Sequence, residues 1–218
     1  MDDGNSVKRC RTANDSSAGV VFEYAGEGCF IPKNVVRVKF HPSVVQVPPQ
    51  AFRLCTRLRE VVFNEGLKKI GMGAFWQCTS LESVVLPSSV TLINAQAFDG
   101  CTNLRKITFN NGLQKIGREA FQDCTSLESI VLPSTVNQIG KYLFRQCSKL
   151  SEVVLNEGIE KIPRGLCEGC TTLPKITLPS SIRTISFRAF YGCTSLQNIV
   201  LNDGLQNIRL VHLIAAHH

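Results

Sequence analysis

The chain has 218 residues, 44% hydrophobic, 7% aromatic and 19% charged, with a formal net charge of +7. It is too apolar for a disordered chain and long enough for one or two ordinary domains. No run approaches about 18 apolar residues, so no membrane-spanning helix is expected.

Residues 1–19 are polar, rich in Asp, Ser and Asn, and read as a disordered tail. No apolar core of a secretory signal comes after Met1, so the expected location is cytoplasmic. Lys8-Arg9-Cys10-Arg11 is a short basic run whose default is a solvated tail. Residues 20–34 carry Val20-Val21-Phe22-Glu23-Tyr24 and Cys29-Phe30-Ile31. They read as a cap over the open end of a repeat array that begins at residue 35.

From 35 to 208 the sequence repeats without insertion. Leu58, Leu81, Leu104, Leu127, Leu150, Leu173 and Leu196 recur in step with Cys55, Cys78, Cys101, Cys124, Cys147, Cys170 and Cys193. A strict period of this kind makes a stacked solenoid, each unit touching only its neighbours. Counting the leucine as position 1, positions 4, 6 and 10 are apolar and position 13 is isoleucine from Ile70 to Ile208. Val35, Val38, Phe40, Val44, Val47 and Phe52 fit the same frame one unit earlier, which makes eight units. Apolar residues at 4 and 6 flanking an open 5 are the period-2 signature of a half-buried strand. A turn comes next, alternating between forms such as Asn64-Glu65-Gly66 and Pro87-Ser88-Ser89. The unit closes with Ala-Phe-x-x-Cys, as in Ala74, Phe75 and Cys78, whose spacing suits a short helical or 3₁₀ return.

The full pattern, L-x-x-[VI]-x-[LF]-[PN]-x-x-[VLI]-x-x-I-x-x-x-A-F-x-x-C-T, resembles the BspA-type leucine-rich repeat family. It departs from ordinary leucine-rich repeats at position 9, where Gly66, Ser89 or Thr135 stands in place of an Asn ladder. The resemblance implies an α/β class: a curved right-handed solenoid with a parallel sheet on its concave face. It implies binding or adhesion and carries over no catalytic residue and no cofactor.

The chemistry-bearing residues fit that reading. Cysteines on adjacent turns sit about 4.8 Å apart with parallel Cβ vectors, wider than a disulfide accepts. All ten cysteines therefore read as free thiols, those of the ladder small and buried, as a reducing compartment would allow. Cys167 and Cys170 form one C-x-x-C, which falls short of a tetrahedral zinc site. His41 reads as a turn residue; His212, His217 and His218 crowd the terminus without fixed geometry. No metal site is expected. Lys68, Lys69, Lys115, Arg118, Lys141 and Lys161 come after the strands and read as a solvated outer face; no nucleic-acid reader motif accompanies them.

Position 5 carries the binding signal. Lys39, Val62, Val85, Thr108, Val131, Val154, Thr177 and Val200 point away from the buried ladders. Position 3 adds charges of both signs, among them Lys106, Glu152 and Lys175. Contiguous exposed apolar stripes mark contact sites. The expected partner-binding residues are therefore Val62, Val85, Lys106, Thr108, Val131, Glu152, Val154, Lys175 and Thr177. The expected function is a non-catalytic protein-interaction scaffold. The alternatives are a cell-surface adhesin or the sensor fragment of a larger receptor or enzyme. Residues 209–218 lose the repeat pattern and read as a degenerate end. With no cap expected over the last core layer, the expectation is a truncated array or end-to-end self-association through residues 196–216.

Overall fold

The structure, a computed structural model, describes residues 10–15, 19–201 and 203–208. Strand β1 (Arg11–Asp15) pairs antiparallel with β2 (Gly19–Tyr24). Part of the segment expected to be disordered is thus a strand, and residues 1–9 and 16–18 lie outside the described residues. The array opens with β3 (Arg37–Phe40) and β4 (Gln46–Val47). It continues with β5 (Glu60–Val62), β6 (Lys69–Ile70), β7 (Ser83–Val85), β8 (Leu92–Ile93), β9 (Lys106–Thr108) and β10 (Lys115–Ile116). It runs on through β11 (Ser129–Val131), β12 (Gln138–Ile139), β13 (Glu152–Val154), β14 (Lys161–Ile162), β15 (Lys175–Thr177), β16 (Thr184–Ile185), β17 (Asn198–Val200) and β18 (Asn207–Ile208).

Odd-numbered strands from β3 on stack on one side and even-numbered strands on another; wherever they pair they are parallel and in register one repeat apart, with interruptions between β5 and β7, β9 and β11, and β12 and β14. β2 pairs in parallel with β3, so the hairpin joins the array as its first layer. Cys10 and Cys29 are joined in a disulfide that ties this hairpin down, with Cα atoms 5.7 Å apart. This corrects the expectation that every cysteine is a free thiol. These two lie outside the repeat phase, so the spacing that keeps the ladder cysteines apart does not bind them.

The core is a set of ladders. Phe52, Phe75, Phe98, Phe121 and Phe144 stack ring on ring, centroids 5.1 to 6.1 Å apart. Cys167 takes the ring's place in the next unit and is fully buried. The eight other cysteines are free and buried. From Cys78 onward each ladder thiol donates to a backbone carbonyl of the preceding unit, as Cys101 Sγ does to Phe75 O at 3.2 Å. Burial drives these thiols' pKa values up, that of Cys193 to about 12.

The returns are not helical. Among the described residues there is no helix of any kind. Each return holds two residues at positive φ four apart, such as Gln50 (57°) with Leu54 (61°) and Gln146 (61°) with Tyr142 (57°). A helix cannot pass through that alternation. Backbone donors alternate accordingly. The N–H groups of Gln50, Phe52 and Leu54 reach forward to the next unit's Met72, Ala74 and Trp76. Those of Ala51, Arg53 and Cys55 close local turns. The Ala-Phe-x-x-Cys spacing mimics a helix because the residues that face the core are the consecutive Ala and Phe and the Cys three later, as with Ala120, Phe121 and Cys124.

The two turn types also find a physical use. In Asn-x-Gly turns the Asn amide donates back to the preceding turn: Asn110 Nδ2 reaches Pro87 O at 2.7 Å and Val90 O at 3.1 Å. In Pro-Ser-Ser or Pro-Ser-Thr turns a hydroxyl donates to the Asn-type turn before it, Ser89 to Leu67 O at 2.6 Å. Each type satisfies carbonyls that the other leaves open.

Candidate functional site

Strand alternation turns positions 4 and 6 inward and position 5 outward, and the structure obeys it. Val84, Ile130 and Ile176 are buried, while Val62, Val85, Val131 and Val154 stand 41 to 64% exposed. Thr108, Thr177, Lys106, Glu152 and Lys175 are exposed as well. All nine expected contact residues thus lie on one open face of the long strands. Val200 extends the stripe, 52% exposed. At the other end Arg37 and Glu60 form an ion pair across β3 and β5.

The face is not uniform. Between β13 and β15 the ladder is reduced to one pair, Val154 with Thr177, where β11–β13 and β15–β17 each make three. The ladder also lapses between β5 and β7 and between β9 and β11 without a proline, and here the residue that departs from its column is Pro174. The residue at this position donates its N–H to the unit before: Arg59 to Val36 O, Arg105 to Glu82 O, Ser151 to Glu128 O. Proline has no N–H, so Ser151 O receives nothing from Pro174. A groove of about 470 Å³ opens there. Glu152 and Val154 line one side; Pro174, Lys175 and Thr177 line the other. Four of the nine expected residues meet in it. The lining residues that sequence reasoning missed are Ser151, Val153, Leu155, Glu157, Pro174 and Pro179. Pro174 was legible as the one proline in a column otherwise of Val, Arg, Glu, Ser and Gln.

Electrostatically the groove is acidic by one charge, with Glu152 and Glu157 against Lys175. Glu157 accepts from the backbone N–H and hydroxyl of Ser180 at 3.0 and 2.9 Å, which holds its carboxylate below the usual range. The Cys167–Cys170 pair is buried with raised thiol pKa at Cys167, from hydrogen bonding to Cys170 and from burial. Among the described residues no group of three His, Cys, Asp or Glu is placed to hold a metal ion. The expected self-association segment lies only partly within the described residues. Leu201, at a core position, is 50% exposed, and residues 209–216 lie outside the described residues.

The BspA type Leucine rich repeat region matches residues 23–151, 68–173 and 114–211, in six copies. The chain belongs to the BspA-type leucine-rich repeat family. It is similar to a leucine-rich repeat protein from Bacteroides ovatus, at 28% identity and a TM-score of 0.76, covering 90% of this chain and 52% of that one. It therefore spans about half that protein's length. It is also similar to the T. pallidum leucine-rich repeat protein, at 30% identity and a TM-score of 0.72, covering 87% and 88% of the two chains. The pneumococcal vaccine antigen PcpA shares the fold at 21% identity and a TM-score of 0.54, over 84% of this chain and 54% of that one. No curated protein sequence matches significantly. No helix among the described residues is long and apolar enough to cross a membrane.

Proposed function

We propose that this protein is a non-catalytic binding module that holds a protein partner on the exposed face of its long strands, read as the concave side of the array. The observation that carries the reading is the stripe of exposed valines, Val62, Val85, Val131 and Val154, running into the groove at Glu152 and Lys175. β-branched side chains on a paired sheet are rigid, so binding orders little. The flanking charges of both signs supply register rather than bulk affinity.

A second reading, recognition at a cell surface, is favoured by the Cys10–Cys29 disulfide. Disulfides persist in oxidising compartments, whereas cytoplasmic residence would leave that pair reduced. Differential alkylation of protein taken directly from its native compartment separates the two.

The test of the binding reading is the pair Val131→Glu with Val154→Glu. Both side chains are exposed, so the array keeps its fold and melting temperature. Capture of the partner that the wild type retains is expected to be lost. A double variant that captures the same partner with unchanged affinity would place recognition on another face.

A further inference from the structure

On the short-strand side the array contains a second opening. At the end of each short strand one residue donates its N–H to the unit before. Gly71 gives to Val47 O, Asn94 to Ile70 O, Gly117 to Ile93 O, Gly140 to Ile116 O and Ser186 to Ile162 O, at 2.8 to 3.0 Å. The residue in this column between Gly140 and Ser186 is Pro163, which has no N–H to give Ile139. A parallel series breaks at the same place. Lys68, Thr91, Gln114 and Asn137 each donate one unit back, and Arg183 donates to Glu160. Among the described residues no such bond joins Glu160 to Asn137.

The consequence is a gap. The short strands form one sheet ending at β12 and a second beginning at β14. No Cα of β12 lies within 8 Å of a Cα of β14, where neighbouring strands lie about 4.8 Å apart. Ile139 is half-buried, while its counterparts Ile116 and Ile162 are buried. Elsewhere the unit remains attached: β11 pairs with β13, and Tyr142 and Phe144 donate to Arg164 and Leu166 at 2.9 Å. The opening is a wedge on one flank, with a volume of about 610 Å³.

We infer that this wedge receives an extended acidic peptide segment, which pairs with the facing edges of β12 and β14. Facing edges of two parallel strands offer backbone donors and acceptors at peptide spacing, the geometry of strand addition. A strand seated midway needs about twice the normal 4.8 Å spacing between its neighbours, and the wedge already exceeds one. The side chains set the charge. Lys115, Arg118 and Lys161 line the wedge against one acid, Glu160, and all four are exposed. Gln138 adds an amide. No aromatic ring lines it to stack a base, which favours a peptide over a single-stranded nucleic acid. The wedge is separate from the valine stripe and does not depend on it.

The probe is a fluorescent, end-blocked peptide alternating aspartate and valine, titrated by anisotropy against the whole chain. The wild type is expected to bind it and to bind the lysine–valine counterpart at least tenfold more weakly. Pro163→Gly restores the residue type found at 71, 117 and 140, returns the missing N–H and closes the wedge. It is expected to weaken binding tenfold or more. Lys115→Glu with Lys161→Glu is expected to do the same with Pro163 intact, so a folding defect in one variant does not decide the matter. Val131→Glu with Val154→Glu is expected to leave binding unchanged. Failure of the wild type to bind, equal affinity for both peptides, or full affinity in Pro163→Gly would each overturn the assignment. So would tighter binding of a single-stranded oligonucleotide than of the acidic peptide.

Discussion

The stretch from Leu58 to Ile139 and the unit from Leu150 to Thr172 share one repeat pattern, yet they hold to their neighbours differently. In the first, short-strand pairing is unbroken and four phenylalanine rings stack in sequence, counting Phe52 below it, while the long-strand ladder lapses between β5 and β7 and between β9 and β11. In the second, Pro163 loosens the short-strand flank toward the unit before, and Pro174 loosens the long-strand flank toward the unit after. The apolar ladders run through both without a gap: Leu150, Ile162, Cys170 and Leu173 are fully buried. Burial therefore maintains the stack, and in the second region two missing backbone donors coincide with its loosened flanks. A solenoid can open a groove by losing one N–H and keep its core.

The largest expected contrast between the two regions lies in the ring ladder. Phe121→Ala removes a fully buried ring between Phe98 and Phe144 and is expected to cost about 3–5 kcal/mol in denaturant unfolding. Cys167→Ala, at the same column in the loosened unit, removes one sulfur and is expected to cost about 1 kcal/mol. Equal costs would mean that the ring stack does not distinguish the regions.

Alkaline pH gives a smaller, graded contrast. Burial raises the pKa of Cys101 and Cys124 above the value of 9.0 for an ordinary thiol. Their contribution to stability is complete below that value and falls as pH rises through it, because only the unfolded chain ionises. Each such thiol is expected to lose about 1.4 kcal/mol per pH unit above about 9. Cys101→Ala is expected to flatten that slope in thermal melts. A slope unaltered by the substitution would mean that the ladder thiols are not shielded from water.

The smallest effect is expected on the outer face. Lys115→Ala, exposed on β10, is expected to change stability by less than about 0.5 kcal/mol. A larger loss would assign the Lys115 column a structural role beyond lining the wedge.

The period, the inward ladders and the outward valine stripe were all legible in the sequence, because a two-residue strand alternation maps directly onto burial. The returns were not. Their positive-φ residues include Gln50, Glu119, Tyr142 and Arg188, and without glycine at those places nothing marks a left-handed backbone. The disulfide was obscured by the seven in-phase cysteines; Cys10 and Cys29, both out of phase, were the signal. Pro163 and Pro174 stood in plain view, but their meaning depends on knowing that the N–H in each column crosses to the unit before. Four residues of the candidate groove were expected from alternation alone, and the groove itself emerged only in the structure.

Amide hydrogen exchange tests most directly whether two missing donors open the unit from Leu150 to Thr172. In the wild type the Glu160 amide is expected to exchange rapidly while its equivalents at Gln114, Asn137 and Arg183 are protected. Pro163→Gly is expected to bring Glu160 to their level of protection. A Glu160 amide already as slow as those of Asn137 and Arg183 in the wild type, and unchanged by the substitution, would contradict the account.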